Sequence, residues 1–84
     1  MMPIEQAAVF LLLLGQEKGQ KVIALMDTGE IQAIIPVLRR LRDVSPQVQE
    51  RVWEQFNNLG YEAAMNPNEL LTLIRFLFSA RKSG

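Results

Sequence analysis

Residues 7–15, with the sequence AAVFLLLLG, form the most apolar stretch of this 84-residue chain. Its apolar side chains point to every side of a helix, which is typical of a helix packed on several faces. Eight apolar residues before Gly15 fall far short of the roughly 20 needed to cross a bilayer. Glu5 also stands where a signal peptide would carry positive charge. We therefore predict a buried helix over residues 3–14 that ends at Gly15.

Three later segments begin with residues that start helices. Asp27 is a suitable N-cap and Glu30 sits where it completes a capping box, in which each side chain accepts from the other residue's backbone N–H. Ser45-Pro46 combines an N-cap with a proline at the first helical position. Asn66-Pro67 has the same arrangement, and Glu69 completes a second capping box. With a further helix over residues 16–26, these signals predict about five short helices.

Two residues conflict with this helical pattern. Gly19 lies inside the predicted second helix and weakens it by about 1 kcal/mol relative to alanine. Pro36 interrupts the apolar stripe of the third helix, where it removes one backbone hydrogen bond and crowds the preceding turn. We predict a kink at Pro36 or two short helices in tandem.

The composition limits the classes of partner. Nine basic and nine acidic residues leave no net charge, whereas nucleic-acid binding is driven by basic excess, so we predict no nucleic-acid partner. Cysteine is absent, which excludes disulfides and thiolate metal sites. A domain of this size buries only about 60% of its unfolded surface. With 49% hydrophobic residues, the chain is expected to keep some apolar surface exposed to solvent.

The residues that carry most enzyme chemistry are missing. Without histidine or cysteine, the chain lacks the commonest general base and most transition-metal ligands. Ser45 is needed as a helix cap, and Ser79 has no base at a suitable spacing. Glu50 and Glu54 stand one helical turn apart on a polar face and are expected to be solvated. We predict no enzymatic activity, no cofactor and no metal site.

Arg39, Arg40 and Arg42 form the basic cluster of the sequence. Two interpretations remain open for it. Positive charge at the end of the third helix complements the helix dipole, and the same charges could contact a phosphate or an acidic partner.

The apolar surface that so small a core cannot bury suggests a binding surface. Phe10, Met26, Trp53 and Phe78 are of the types enriched at recognition surfaces. A small helical domain with such a surface typically receives an amphipathic helix in a groove between its own helices. The candidate groove residues are Phe10, Leu13, Leu14, Val22, Leu25, Met26, Ile34, Ile35, Leu38, Trp53 and Phe56.

Three segments together resemble one family. Residues 7–15 resemble the first helix and turn of the N-terminal domain of FliG, the flagellar motor switch protein. Residues 27–31, DTGEI, resemble its capped third helix, and residues 41–48, LRDVSPQV, resemble the approach to its fourth. The similarity lies in the order and spacing of these elements, and it covers about residues 4–58.

The resemblance implies a fold, a partner and a location. The expected fold is all-α, a compact bundle of about five short helices in an armadillo-like right-handed arrangement. The length of the chain independently predicts a single domain over residues 1–82, with 83–84 as a tail. The partner would be the C-terminal tail of FliF, the membrane-ring protein, folded as helices against the apolar surface. Neighbouring copies would touch in a ring or by domain swapping. The location would be cytoplasmic, at the inner face of the membrane at the basal body, with the membrane contacted only indirectly.

Two other functions fit the same residues. The chain could be a stand-alone helical adaptor that binds an amphipathic helix of another flagellum- or secretion-related protein. Peripheral membrane binding through exposed leucine and phenylalanine is a third hypothesis. It is disfavoured because the chain lacks the basic polar face that interfacial helices normally carry.

Overall fold

The computed structural model describes residues 2–41 and 43–82, with side chains described over 2–41 and 43–77. Within these ranges the fold is all-α and contains no strand, which confirms the predicted fold class. The handedness of the helix arrangement stays a prediction, and residues 83–84 lie outside the described residues. The helices are α1 (Pro3–Leu13), α2 (Gln16–Ala24), α3 (Thr28–Arg40), α4 (Pro46–Asn58) and α5 (Pro67–Lys82).

Helix α1 lies at the centre of the bundle and contacts each of the other four helices. Its residues Ala7–Leu11 are all buried, which explains why the apolar residues of this helix surround its axis. The other helices are amphipathic and turn one stripe toward α1. The buried core consists of Ala7, Ala8, Val9, Phe10, Leu11, Val22, Met26, Ile34, Val37, Val52, Phe56, Leu70, Leu71, Leu73, Ile74 and Leu77.

The predicted helix starts are confirmed at atomic detail. The N–H of Glu30 donates to Asp27 Oδ1 at 2.8 Å, and the N–H of Asp27 donates to Glu30 Oε1 at 2.9 Å. Asn66 and Glu69 form the same reciprocal pair at the start of α5. The N–H of Glu69 donates to Asn66 Oδ1, and the N–H of Asn66 donates to Glu69 Oε1, each at 3.0 Å. Ser45 Oγ accepts from the N–H of Val48 at 3.2 Å. Each start therefore satisfies donors that the helix itself leaves free.

One expectation about helix extent was wrong, and one of the two alternatives at Pro36 is excluded. Helix α2 ends at Ala24 rather than Met26, because the backbone must leave the helix to reach the extended conformation of the N-cap Asp27. Helix α3 runs unbroken from Thr28 to Arg40 with Pro36 inside it, so the two-helix alternative at this position fails. Pro36 is exposed, and because it has no N–H, the carbonyl of the preceding turn lacks its usual helical donor.

Gly60 ends α4 through a Schellman motif. Its φ of 104° lies in the left-handed region, where glycine avoids the penalty of a Cβ. The N–H of Tyr61 donates to the Phe56 carbonyl at 2.9 Å, and the N–H of Gly60 donates to the Asn57 carbonyl at 3.0 Å. Residues 61–65 then form turns rather than a further turn of helix.

Gly19 has a packing function. A Cβ at this position would lie 2.9 Å from the carbonyl oxygen of Leu11, closer than real Cβ atoms approach. Gly19 is buried, and α2 is continuous through it. The missing side chain therefore allows α2 to lie directly against α1. Among the described residues, the helices lack the combination of length and apolarity that a bilayer crossing requires.

Candidate partner-binding groove

An open groove of about 240 Å³ runs along the junction of α1 and α2. Leu11 and Leu12 supply its α1 side, and Leu38 near the end of α3 adds a third leucine. Leu12 is about half exposed, at 49% of its accessible surface. The full lining is Leu11, Leu12, Gly15, Gln16, Gly19, Gln20, Ile23 and Leu38.

One face of α2 forms the second side of the groove. Gln16, Gly19, Gln20 and Ile23 follow the spacing i, i+3, i+4 and i+7, which places them in one row along the helix. Gly19 keeps this row close to α1. Gln16 and Gln20 are exposed, and their amides offer hydrogen-bond donors and acceptors at the edge of the groove. None of the lining residues is ionisable, so the groove offers apolar contact and amide hydrogen bonding.

Five of the predicted groove residues lie inside the domain instead. Their side chains pack in the buried core, where a partner could reach them only if the bundle opened. Phe10 and Phe56 stack with ring centroids 3.8 Å apart and planes within 5°, a contact within the core rather than at a surface. The buried group is Phe10, Val22, Met26, Ile34 and Phe56.

The remaining predicted residues are more accessible than these five. Leu38 lines the groove. Leu25 is exposed, at 42%, and lies outside the groove lining. Leu13, Leu14, Ile35 and Trp53 are half-buried against the core. The Phe78 side chain lies outside the described residues.

Trp53 belongs to an aromatic cluster on the α1–α4 side. Its ring meets Phe10 edge-on at 5.9 Å and Tyr61 at 5.3 Å between centroids. Tyr61 also meets Phe10 edge-on at 5.5 Å. Such edge-to-face contacts stabilise by about 0.5–1.5 kcal/mol beyond the area they bury. Trp53 is therefore mainly a packing residue of α4.

The lining residues that the sequence prediction missed could have been found from one signal. Gln16, Gly19, Gln20 and Ile23 share a single helical face that mixes amides, a glycine and an aliphatic residue. Such a face is too polar for a core and too apolar to be fully solvated. Prediction by residue type alone favoured aromatic residues and methionine, which the fold places in the core.

The charged residues that are next to the groove residues in sequence are unevenly paired. Lys21 and Glu17 form an exposed ion pair at 3.5 Å on α2. Lys18 donates to the carbonyl of Ala63 at 3.1 Å and is therefore engaged with the α4–α5 connection. Arg39 and Arg40 directly follow the groove residue Leu38 and are exposed. Neither forms an ion pair with a carboxylate in the described parts of the chain, and the third member of the predicted cluster, Arg42, lies outside them.

An ion pair between Glu30 and Arg75 joins α3 to α5. Arg75 Nε and Nη2 each donate to a different oxygen of the Glu30 carboxylate at 2.8 Å. These hydrogen bonds lower the pKa of Glu30 below its ordinary value of 4.5, against the opposing effect of partial burial. The same pairing raises the pKa of Arg75. Glu30 thus completes the capping box of α3 and also contacts α5 through Arg75.

Comparison with protein families agrees with this architecture. The family model described as the FliG N-terminal domain matches residues 1–78. The chain belongs to this family. This match confirms the resemblance noted from residues 7–15, 27–31 and 41–48. The FliG N-terminal domain is a structural domain of the flagellar motor switch. No curated protein and no solved structure gives a significant match.

Proposed function

We propose that this FliG N-terminal domain docks, without catalysis, on the C-terminal cytoplasmic tail of the membrane-ring protein FliF. It would thereby anchor or regulate the rotor switch complex at the inner face of the membrane, at the flagellar basal body. Family membership over residues 1–78 supports the flagellar setting, since the family implies interaction with motor components such as FliF.

The observation that carries the proposal is the groove between α1 and α2. It is open and lined by four aliphatic side chains, of which Leu12 is half exposed. A cavity of about 150 Å³ holds a benzene ring, so the groove, at about 240 Å³, has room for at least one aliphatic side chain of an incoming helix. An amphipathic tail would cover the exposed part of these side chains and gain roughly 25 cal/mol for each Å² of apolar surface removed from water.

Calorimetric titration of the domain with the C-terminal tail of FliF from the same genome tests the proposal. We expect saturable binding in the micromolar range or tighter, with a negative heat-capacity change from apolar burial. A tail of the same composition in scrambled order serves as the control and should not bind. Absence of binding at tens of micromolar would overturn the proposal. It would leave the adaptor function, with an amphipathic helix of another flagellum- or secretion-related protein, as the alternative to test.

A further inference from the structure

We propose that α5 and the α2–α3 corner, defined as residues 24–30, open and close as one conformational unit that Arg75 holds together. When α5 is docked on the bundle, Arg75 keeps the cap of α3 closed. When α5 leaves the bundle, the cap opens with it. The inference goes beyond the proposed docking on FliF and needs no partner. Any factor that displaces α5 would also loosen the corner at Glu30, which lies 45 positions earlier in the chain.

Three helix starts of the domain can be compared directly, because each has a glutamate at the third helical position. Glu5, Glu30 and Glu69 each accept the backbone N–H of their N-cap residue, at 3.0, 2.9 and 3.0 Å. Among the described contacts, Glu30 differs from the other two because its carboxylate also receives a guanidinium. The cap of α3 therefore depends on a distant helix as well as on its own first turn.

Arg75 holds the Glu30 carboxylate in the orientation that the cap requires. Its Nη2 donates to Glu30 Oε1 at 2.8 Å, and the N–H of Asp27 donates to the same oxygen at 2.9 Å. Its Nε donates to the other oxygen, Oε2, at 2.8 Å. A planar guanidinium that binds both oxygens leaves a carboxylate few alternative orientations. Arg75 therefore lowers the loss of side-chain entropy that Glu30 would otherwise suffer when the cap forms.

The position of Arg75 depends on the docking of α5. The preceding residue, Ile74, is fully buried, and Leu71 and Leu77 are 3% and 5% exposed. Because these side chains are held in the core, the backbone at Arg75 can move away only if α5 moves with it. The guanidinium itself is half exposed and is placed by the helix that carries it. Contact between Arg75 and Glu30 therefore requires that α5 is docked.

The corner needs this contact because its backbone has left both helices. Helix α2 ends at Ala24 and α3 begins at Thr28. The N–H of Asp27 lies between them and donates to Glu30. Without that bond, a donor at the corner loses its partner and α3 loses half of its capping box. In the described residues α3 packs mainly on α1, and α5 packs mainly on α1 and α2, so the ion pair bridges two helices that otherwise meet little.

Amide hydrogen exchange of the intact chain, followed by nuclear magnetic resonance, tests the role of Arg75. In Arg75→Gln, the amides of Asp27, Glu30 and Ile31 should exchange about two- to fivefold faster, the range expected for the loss of one exposed ion pair. Lys21→Gln is the matched control, because it removes an exposed ion pair that stays within α2. It should leave the exchange of these three amides unchanged.

The coupling itself is tested by weakening α5 at a point away from the corner. Asn66→Ala removes the side-chain cap of α5, about two and a half helical turns from Arg75. It should speed exchange of the Ile74 amide and of the Glu30 amide by the same factor, roughly fivefold for a lost cap. Ser45→Ala removes the corresponding cap of α4 and should leave the Glu30 amide unchanged.

The double variant shows whether Arg75 transmits the effect. In the Arg75→Gln background, Asn66→Ala should still speed exchange in α5 but should no longer affect the Glu30 amide. An unchanged Glu30 amide in Asn66→Ala alone would overturn the proposal, because the corner would then open independently of α5. The same acceleration of the Glu30 amide with and without Arg75 would show that packing, and not Arg75, couples the two elements. Circular dichroism of each variant confirms that the helices are kept.

Discussion

The guanidinium of Arg75 holds the Glu30 carboxylate through two hydrogen bonds of 2.8 Å, although the two residues are 45 positions apart. The same carboxylate accepts the N–H of Asp27 at the start of α3. One side chain therefore couples a local helix cap to the packing of the last helix. Arg75 is half exposed and the Glu30 side chain retains 23% of its surface, so solvent weakens this coupling without abolishing it.

The stability of the domain should depend on pH through Glu30. Because the pKa of Glu30 is lowered in the folded state, its stabilising effect is complete above the unfolded pKa near 4.5. The effect is lost as the pH falls through the lower folded pKa. Glu30→Gln should reduce the melting temperature at pH 7, and the difference from wild type should vanish in acid. Thermal unfolding followed by circular dichroism between pH 2 and 7 measures both.

Glu69→Gln is the control for that experiment. Glu69 occupies the equivalent capping-box position in α5, and among the described residues its carboxylate accepts only the Asn66 N–H. Glutamine can still accept that bond, so the variant should lose less stability than Glu30→Gln at pH 7. An equal loss in the two variants would contradict the importance of the Arg75 contact.

Gly19→Ala should destabilise the domain even though alanine favours helix. The new Cβ would lie 2.9 Å from the Leu11 carbonyl oxygen and would push α2 away from α1, at a cost of about 1–3 kcal/mol. At Gly29 a Cβ would meet only Asp27 Oδ1 at 3.5 Å, an ordinary contact. Gly29→Ala should therefore be neutral or stabilising by up to about 1 kcal/mol. Urea unfolding compares the two; a gain in stability from Gly19→Ala would refute the close packing.

Pro36→Ala should stabilise the domain by about 1–3 kcal/mol. The change restores the missing backbone donor inside α3 and removes the crowding of the preceding turn. Part of the gain is offset because proline also restricts the unfolded chain. Pro46→Ala is the comparison, since Pro46 occupies the first helical position of α4, where proline fits well. The prediction is wrong if Pro36→Ala raises the urea midpoint no more than Pro46→Ala does. That result would show that Pro36 does not destabilise α3.

Gly60→Ala should cost about 1–2 kcal/mol, since an L side chain is strained in the left-handed conformation that the end of α4 requires. A Cβ at Gly60 meets no atom within 4 Å, so the loss reports backbone strain rather than a clash. Gly60→Asn should lose less, because asparagine tolerates this conformation better. Thermal melts rank the two variants by stability. A lower melting temperature for Gly60→Asn than for Gly60→Ala would contradict the left-handed conformation at Gly60.

Local signals in the sequence predicted the helices well, but they did not show which apolar residues the fold would bury. The capping boxes at Asp27 and Asn66 depend on side chains three residues apart, so their chemistry is readable without the fold. Whether Phe10 or Phe56 faces a partner or the core depends on which helices meet, and in the fold they stack on each other. The apolar pattern of α2 runs two residues past its observed end at Ala24, because the Asp27 cap requires extended backbone that the pattern does not reveal.

Intermolecular nuclear Overhauser effects in the complex of the labelled domain with the FliF tail test the central claim most directly. The methyl groups of Leu12, Ile23 and Leu38 report the groove from three helices. We predict contacts from all three to the apolar side chains of one tail helix, while the buried core methyls of Ile34 and Val52 show none. Contacts confined to α4 and α5, or no contacts to the groove in a saturated complex, would contradict the account.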